Sequence, residues 1–351
     1  MIITRTPFRV TLGGGGTDLP SYYSQHGGFI LAMGLDKYMY VAVNRPIVGH
    51  KIRLHYSQSE VVDHVSQLRH ELAREALAAH GIEDTFEVAS IADLPAGTGL
   101  GSSSCYLVGL LNALHHDRRD YVSLQKLAEE ACHIELDVLK EGIGKQDQYM
   151  AAFGGLTALE IGNDGKVRVR PLRPSSSDVA ELVAHTHIYY TGAHREAREV
   201  LADQNAAMQK KEGGDYSRVS ESLHRIKELG YRILDAIETN NFDKWGQLLH
   251  EHWTHKKKMS SKISLSAVDE IYEDVRSRFG VLGGKIIGAG GGGFVMFYCP
   301  ANHAQLERFM AERGMPRMHY TIEPEGTKVV AQMGHGFFSP QRSLSMAGDS
   351  T

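Results

Sequence analysis

The order of apolar and polar positions divides the chain into an early part rich in strands and a later part rich in helices. Near the start, apolar and polar residues alternate, and that period of two predicts strands at residues 8–12, a strand pair within 28–43 and a short strand at 53–56. Between residues 66 and 80 the spacing changes: Leu68, Leu72, Ala73, Ala76 and Leu77 recur as on one face of a helix. A strand at 86–91 then leads through a glycine-rich loop into a helix at 103–115, whose apolar face carries Tyr106, Leu107, Leu110, Leu111 and Leu114. A second helix at 124–139 starts behind Ser123 as its N-cap.

Gly154 and Gly155 turn the chain into a strand at 156–161, which pairs with 167–169 across the turn at Asn163-Asp164-Gly165. The Pro/Ser-rich stretch 171–177 reads as a linker. Beyond it lie a strand at 187–190 and long helical material over 195–279, broken at Gly213-Gly214 and Asn240-Asn241. Strands at 285–287 and 294–298 flank a run of glycines, and a helix at 305–313 with strands at 319–322 and 328–330 completes the pattern. The expected organisation is an N-terminal domain over 1–180, a C-terminal domain over 181–340 and a flexible tail over 341–351.

Composition narrows the functional classes. A length of 351 residues suits two domains better than one. The net charge of -4 argues against a general nucleic-acid binder. Cys105, Cys132 and Cys299 are far apart, which gives neither a disulfide framework nor a zinc knuckle and makes a reducing cytoplasm the expected compartment. No signal-peptide pattern opens the sequence, and no apolar run approaches a membrane span, so no membrane partner is expected. Association into a homo-oligomer stays open. Glycine is the one clear excess, with 37 residues, and it is clustered, as it is where backbone approaches a ligand closely.

Three constellations carry candidate chemistry. In the central loop, Pro95, Gly97, Gly99, Leu100 and Gly101 run into Ser102, Ser103 and Ser104 at the start of a helix. Glycine turns expose backbone N–H groups, and a helix start adds unpaired donors and its positive dipole end, so together they bind a phosphate chain. The serine hydroxyls can serve phosphate oxygens or a magnesium ion. No lysine follows the last glycine, so the loop is not a Walker A sequence. The plainer structural reading is a glycine turn with a serine N-cap.

The first glycine run places Arg9 before it and Gly15, Gly16, Thr17 and Asp18 at its end. Asp18 can accept hydrogen bonds from a polyol, and Arg9 can steady developing negative charge; alternatively, Asp18 caps a helix that begins at Leu19-Pro20. Glu135 and Asp147 form the third signal: phosphoryl transfer needs one carboxylate on a metal and another at the attacking hydroxyl, although solvated carboxylates are the plainer reading. His250-Glu251-His252 lacks the spacing of the zinc motif HExxH and reads as part of a partly exposed helix, and Lys256-Lys257-Lys258 reads most simply as a solvated face, with an anionic substrate group as the functional alternative.

Three motifs, at 9–18, 95–104 and 285–293, stand in the order found in the GHMP kinases, and the chain resembles that family over nearly its whole length. The resemblance implies a two-domain α+β fold, with an N-terminal ribosomal S5 domain 2-like part, a C-terminal ferredoxin-like α/β part and the active site between them. It implies ATP and Mg²⁺ as cofactors, the loop glycines and Ser102 on the nucleotide phosphates, Ser103 and Glu135 on the metal, and Asp147 at the acceptor hydroxyl. Arg9 takes the place of a family Lys or Arg. Asp18 matches a sugar-binding aspartate, and Gly290, Gly291 and Gly292 lie in the third motif, which closes over phosphates and substrate. Ser104 stands where many relatives have alanine.

The glycine-only run before Thr17-Asp18, the segment Gly144-Lys145-Gln146-Asp147-Gln148 and the run 256–263 resemble the D-glycero-D-manno-heptose 7-phosphate kinase branch in particular. That branch implies phosphorylation of the anomeric C1 hydroxyl of the heptose 7-phosphate, giving a 1,7-bisphosphate for GDP-heptose and surface polysaccharide synthesis. The substrate's own phosphate then needs cations, for which Arg195, Arg198 and the lysines 256–258 are candidates, with Arg195 favoured. A kinase for a free sugar such as fucose and a non-catalytic sugar-phosphate-binding regulator remain the alternatives.

Overall fold

The computed structural model of the protein describes residues 1–193 and 197–333. Its strands are β1 (Ile2–Gly14), β2 (Gly28–Asn44), β3 (Ile52–His55), β4 (Ser59–Val62), β5 (Phe86–Ala92), β6 (Leu156–Ile161), β7 (Val167–Pro171), β8 (Thr186–Tyr190), β9 (Gly283–Ile286), β10 (Phe294–Tyr298), β11 (Arg317–Met318) and β12 (Lys328–Gln332). They form two sheets. The first has the order β12-β1-β2-β5-β3-β4, with β6 also on β2 and β7 on β6; the second has the order β11-β8-β10-β9.

The expected strand pair at 28–43 is instead one 17-residue strand. One edge of β2 follows β1, while its other edge takes β6 along Gly28–Met33 and β5 along Met39–Asn44. The change of partner falls at Gly34. Here the N–H donates to Gly155 O at 2.8 Å and the carbonyl accepts from Glu323 N at 3.0 Å, and a side chain would press tightly on those backbones.

The helix Ser102–Arg118 lies beneath β1 and β2 and is buried continuously from Ser104 to His115, rather than on one face as its spacing suggests. Helices Glu71–Ala79, Leu124–Cys132 and Gln146–Phe153 cover its other sides, so it is a core helix. Gly109 permits the close approach: a side chain there would meet the Thr6 hydroxyl at 2.8 Å, and Gly109 O accepts from Thr4 Oγ1 at 2.8 Å.

Two elements cross from the C-terminal half. Helix Gly214–Glu238 packs on the first sheet, with Ile233 against Gly13 and the ring of Tyr231 4.2 Å from that of Phe29. Strand β12 pairs antiparallel with β1, so residues 328–332 belong to the first sheet although a division at residue 180 assigns them to the second half. The stretch read as a linker holds the end of β7 and the start of a helix, Ser176–His185, whose capping box joins Ser175 to Asp178. Strand β11 lies two residues ahead of the strand expected at 319–322, and Ile322 makes only an isolated bridge with Leu35. Among the described residues no helix is long and apolar enough to cross a membrane.

Candidate active site

The loop after β5 takes left-handed conformations at Gly97, Gly99 and Gly101, with φ of 75°, 80° and 83°. Gly101 occupies the N-cap position and no side chain caps the helix, so the serine-cap reading does not hold. The first-turn donors are left for an outside acceptor. Pro95, Gly97, Gly99, Gly101, Ser102 and Ser103 line a cavity of about 1090 Å³. Leu100 and Ser104 turn away from it. Leu100 is in the core and its carbonyl accepts from Arg9 N at 3.2 Å, whereas the buried Ser104 hydroxyl donates to Glu135 Oε2 at 2.7 Å.

Glu135 lies on a widened π-helical turn, His133–Val138, that follows the regular helix Leu124–Cys132; the sequence predicts one continuous helix here. Gln148 Nε2 is the second donor to Glu135 Oε2. Burial raises the Glu135 carboxyl to about 7; the Ser104 and Gln148 hydrogen bonds oppose the rise, and the negative charges of Asp147 and Glu141 add to it. A carboxylate raised chiefly by burial, and further by neighbouring carboxylates, is in an environment that a cation stabilises.

Arg9 on β1 and Asp147 in the first turn of helix Gln146–Phe153 form a bidentate pair: Nε donates to Oδ1 at 2.7 Å and Nη2 to Oδ2 at 2.8 Å. The remaining guanidinium nitrogen, Nη1, donates to Gly99 O at 2.7 Å and so ties the pair to the phosphate loop. Next to it, Asp18 Oδ2 accepts from Gln146 N at 3.1 Å, and Thr11 Oγ1 donates to Gln146 Oε1 at 2.9 Å. Asp18 does not cap the following helix, whose N-cap is Leu19 without a side-chain bond; it lines the cavity instead, and burial raises its pKa. Proline does open that helix, at Pro20.

The third glycine run meets the phosphate loop backbone to backbone. A side chain at Gly288 would strike Gly99, and one at Gly293 would strike Thr98. Gly288 and Ala289 line the cavity; Gly290, Gly291 and Gly292 are not among its lining residues and pack near Ile263 and Ala193. Gly15 and Gly16 line it, but Thr17 does not: its hydroxyl donates to Phe29 O at 2.8 Å and accepts from Phe29 N at 3.1 Å. Arg195 lies outside the described residues.

Three further residues line the cavity: His252, read from sequence as part of a partly exposed helix, Lys256, read as a solvated or anion-binding residue, and Lys285, the first residue of the third motif, to which the sequence reading gives no role. His252 and Lys256 occupy the inward face of helix Phe242–Lys257, and Lys285 sits on β9. All three are buried. His252 Nε2 bonds Gly14 O, and Lys256 Nζ donates to Gly288 O. The lysine run is therefore not uniformly solvated: Lys256 points inward, whereas Lys257 pairs with Asp269 at 2.9 Å and Lys258 is exposed. His250 bonds the Tyr272 hydroxyl at 2.8 Å, so it and His252 serve different neighbours rather than a shared metal.

Residues 63–155 match the GHMP kinases N terminal domain and residues 233–314 match the GHMP kinases C terminal domain. A D-glycero-alpha-D-manno-heptose 7-phosphate kinase of Campylobacter jejuni is 29% identical over 342 residues, covering 93% of this chain and 98% of that protein. An L-fucokinase/L-fucose-1-P guanylyltransferase of Bacteroides fragilis is 26% identical over 374 residues, covering 93% of this chain and 38% of that longer protein. In fold, the chain is similar to the crystal structure of a D-glycero-D-manno-heptose 1-phosphate kinase from Bacteroides thetaiotaomicron, with a TM-score of 0.76, 24% identity, and 95% of this chain and 100% of that one covered.

Proposed function

Because the chain belongs to the GHMP kinase family and is a sugar-phosphate kinase of that family, we propose that its reaction is transfer of the ATP γ-phosphoryl group to the anomeric C1 hydroxyl of D-glycero-D-manno-heptose 7-phosphate. The observation that carries this reading is the Arg9–Asp147 pair tied to Gly99, because it sets a proton acceptor beside the phosphate loop. Both Asp147 oxygens keep lone pairs for a hydroxyl after accepting from the guanidinium.

In the proposed reaction the acceptor oxygen forms its bond to the γ-phosphorus as the bond to the β,γ-bridging oxygen breaks. The hydroxyl proton passes to Asp147, and ADP leaves. Glycine amides and the open helix start hold the ATP phosphates. The Tyr56, His70 and Tyr106 rings line the same cavity, with the His70 and Tyr106 centroids 4.9 Å apart, and offer an aromatic wall for the base. Asp18 receives sugar hydroxyls.

Magnesium fits the buried Glu135, with the Ser103 hydroxyl as the second protein ligand and Ser104 and Gln148 fixing the carboxylate through Oε2. When bound, it supplies neutralisation of the phosphate charge. The 7-phosphate of the acceptor is assigned to Arg195, on the strength of the sequence alone.

A coupled ADP-release assay tests the proposal across heptose 7-phosphate, other sugar phosphates, free heptose and fucose. Turnover highest on heptose 7-phosphate, with a 1,7-bisphosphate product, is the expected outcome. Preference for a free sugar refutes the substrate assignment while leaving the kinase in place.

A further inference from the structure

Lys256 and Lys285 stand out among the cavity residues because neither has an acid of its own. Lys285 is 2% exposed, and its side chain makes no hydrogen bond or ion pair with any described residue. Among the described residues the side chain of the buried Lys256 bonds only a neutral partner, the carbonyl of Gly288. Taking an ammonium group out of water without an anion is expensive. The cost is visible in both: burial lowers Lys256 to about 7 and Lys285 well below its ordinary value, with Lys256 and Arg9 each adding repulsion on Lys285. The nearby acids do not resolve the imbalance. Asp147 is engaged by Arg9, and burial favours the neutral form of Asp18.

The position of Lys256 points to the anion it would serve. Its ammonium holds Gly288 O, and Gly288 lies against Gly99, where an added side chain would come within 2.8 Å of the Gly99 Cα. Arg9 holds Gly99 O from the other side at 2.7 Å. Arg9 and Lys256 therefore grip the two touching peptides at which the phosphate loop meets the third glycine run. Asp147, the proposed proton acceptor, is on Arg9 itself. A group placed between that acceptor and the nucleotide is the one being transferred.

We propose that Lys256 and Lys285 are catalytic residues that complete, with Arg9, a buried cradle of three cations for the transferring phosphoryl group. In-line transfer spreads negative charge over the equatorial oxygens of that group, and lysines that hold their protons once that anion is beside them stabilise such charge in a dry site. His252, one turn before Lys256 on the same helix face, is held neutral by burial and the neighbouring lysines, so it adds no fourth charge. This inference rests on the phosphoryl-transfer reading but not on the identity of the sugar.

The test replaces each lysine with methionine, which removes the charge and roughly preserves the length of the side chain. Binding of ADP, with and without aluminium fluoride as a mimic of the transferring group, is measured by calorimetry in the presence of magnesium, beside turnover. Lys256→Met and Lys285→Met are expected to bind ADP within about threefold of the original chain and to lose at least tenfold of the extra affinity that aluminium fluoride confers. Turnover is expected to fall on the order of a hundredfold on any accepted sugar. Lys256→Arg, which keeps a cation, is expected to recover part of the aluminium fluoride effect.

Unchanged tightening by aluminium fluoride overturns the proposal, as does a parallel loss of ADP affinity. A rise in KM confined to phosphorylated acceptors, with kcat intact, also overturns it and places the lysines at the acceptor's own phosphate. The calorimetric arm needs no sugar, so failure of the cradle and failure of the substrate assignment are told apart.

Discussion

Arg9 reaches across 138 positions of sequence to hold both carboxylate oxygens of Asp147, with its Nε 2.7 Å from Oδ1 and its Nη2 2.8 Å from Oδ2. The pairing fixes the direction in which Asp147 can accept a proton and links that direction to the phosphate loop through Gly99. Positioning of this kind supplies much of the catalysis in phosphoryl transfer.

Removing the acceptor while keeping the shape isolates it. Asp147→Asn is expected to bind ATP normally and to lose on the order of a hundredfold or more in turnover, the range of general-base catalysis. Steady-state kinetics with a nucleotide-binding measurement check this. Near-normal turnover removes Asp147 from the proposed mechanism.

The buried Glu135 makes the stability of the metal-free protein depend on pH. Its carboxyl titrates near 4.5 when unfolded and at about 7 when folded, so between those values the folded state binds the extra proton. The contribution of Glu135 to stability is therefore fully present below the unfolded value and is lost as pH rises toward about 7. Glu135→Gln removes this dependence. The urea midpoint of the variant, relative to the original chain, is expected to rise between pH 5 and pH 7 in the absence of magnesium. A constant difference across that window contradicts the raised carboxyl.

Two neighbouring residues with hydroxyl and carboxylate groups separate function from stability. Asp18 faces the cavity, and a side chain at Gly144 would overlap its carboxylate. Gly144→Ala is expected to raise KM for the sugar at least tenfold while leaving KM for ATP within a few-fold. Thr17→Val instead removes both bonds to the Phe29 backbone and is expected to cost about 1–3 kcal/mol in chemical denaturation, with kcat/KM largely retained. A sugar-specific defect in Thr17→Val is the outcome that contradicts this division.

The glycine loop of the proposed nucleotide site was the more legible part of the cavity in sequence, because glycine clusters before a helix are a local pattern and their backbone chemistry follows from φ alone. Lys256 was less legible, because it sits in a run of three lysines and only the phase of the helix decides which one is buried. Trp245, Leu248, Leu249, His252 and Trp253 set that phase, and extending their spacing by one step reaches position 256. Lys285 opens the third motif, but its burial was not legible there, since burial on β9 depends on what packs over it. The helix at Ser176–His185 was hidden by the proline- and serine-rich composition, although the Ser175 and Asp178 spacing that marks a capping box was present. The length of β2 escaped for another reason: a strand that changes partners midway carries a glycine where a turn would also place one.

Strand β12 has a consequence for synthesis. It covers the outer edge of β1 from Arg5 to Ile2, and the amino group of Met1 donates to Met333 O at 3.1 Å. Strand β1 thus leaves the ribosome long before the strand that seals this edge. Until residues 328–332 emerge, the nascent chain carries an open row of strand donors and acceptors, a surface on which other chains can pair. Completion of the first sheet therefore waits for residues 328–332, and until they are made that edge needs cover.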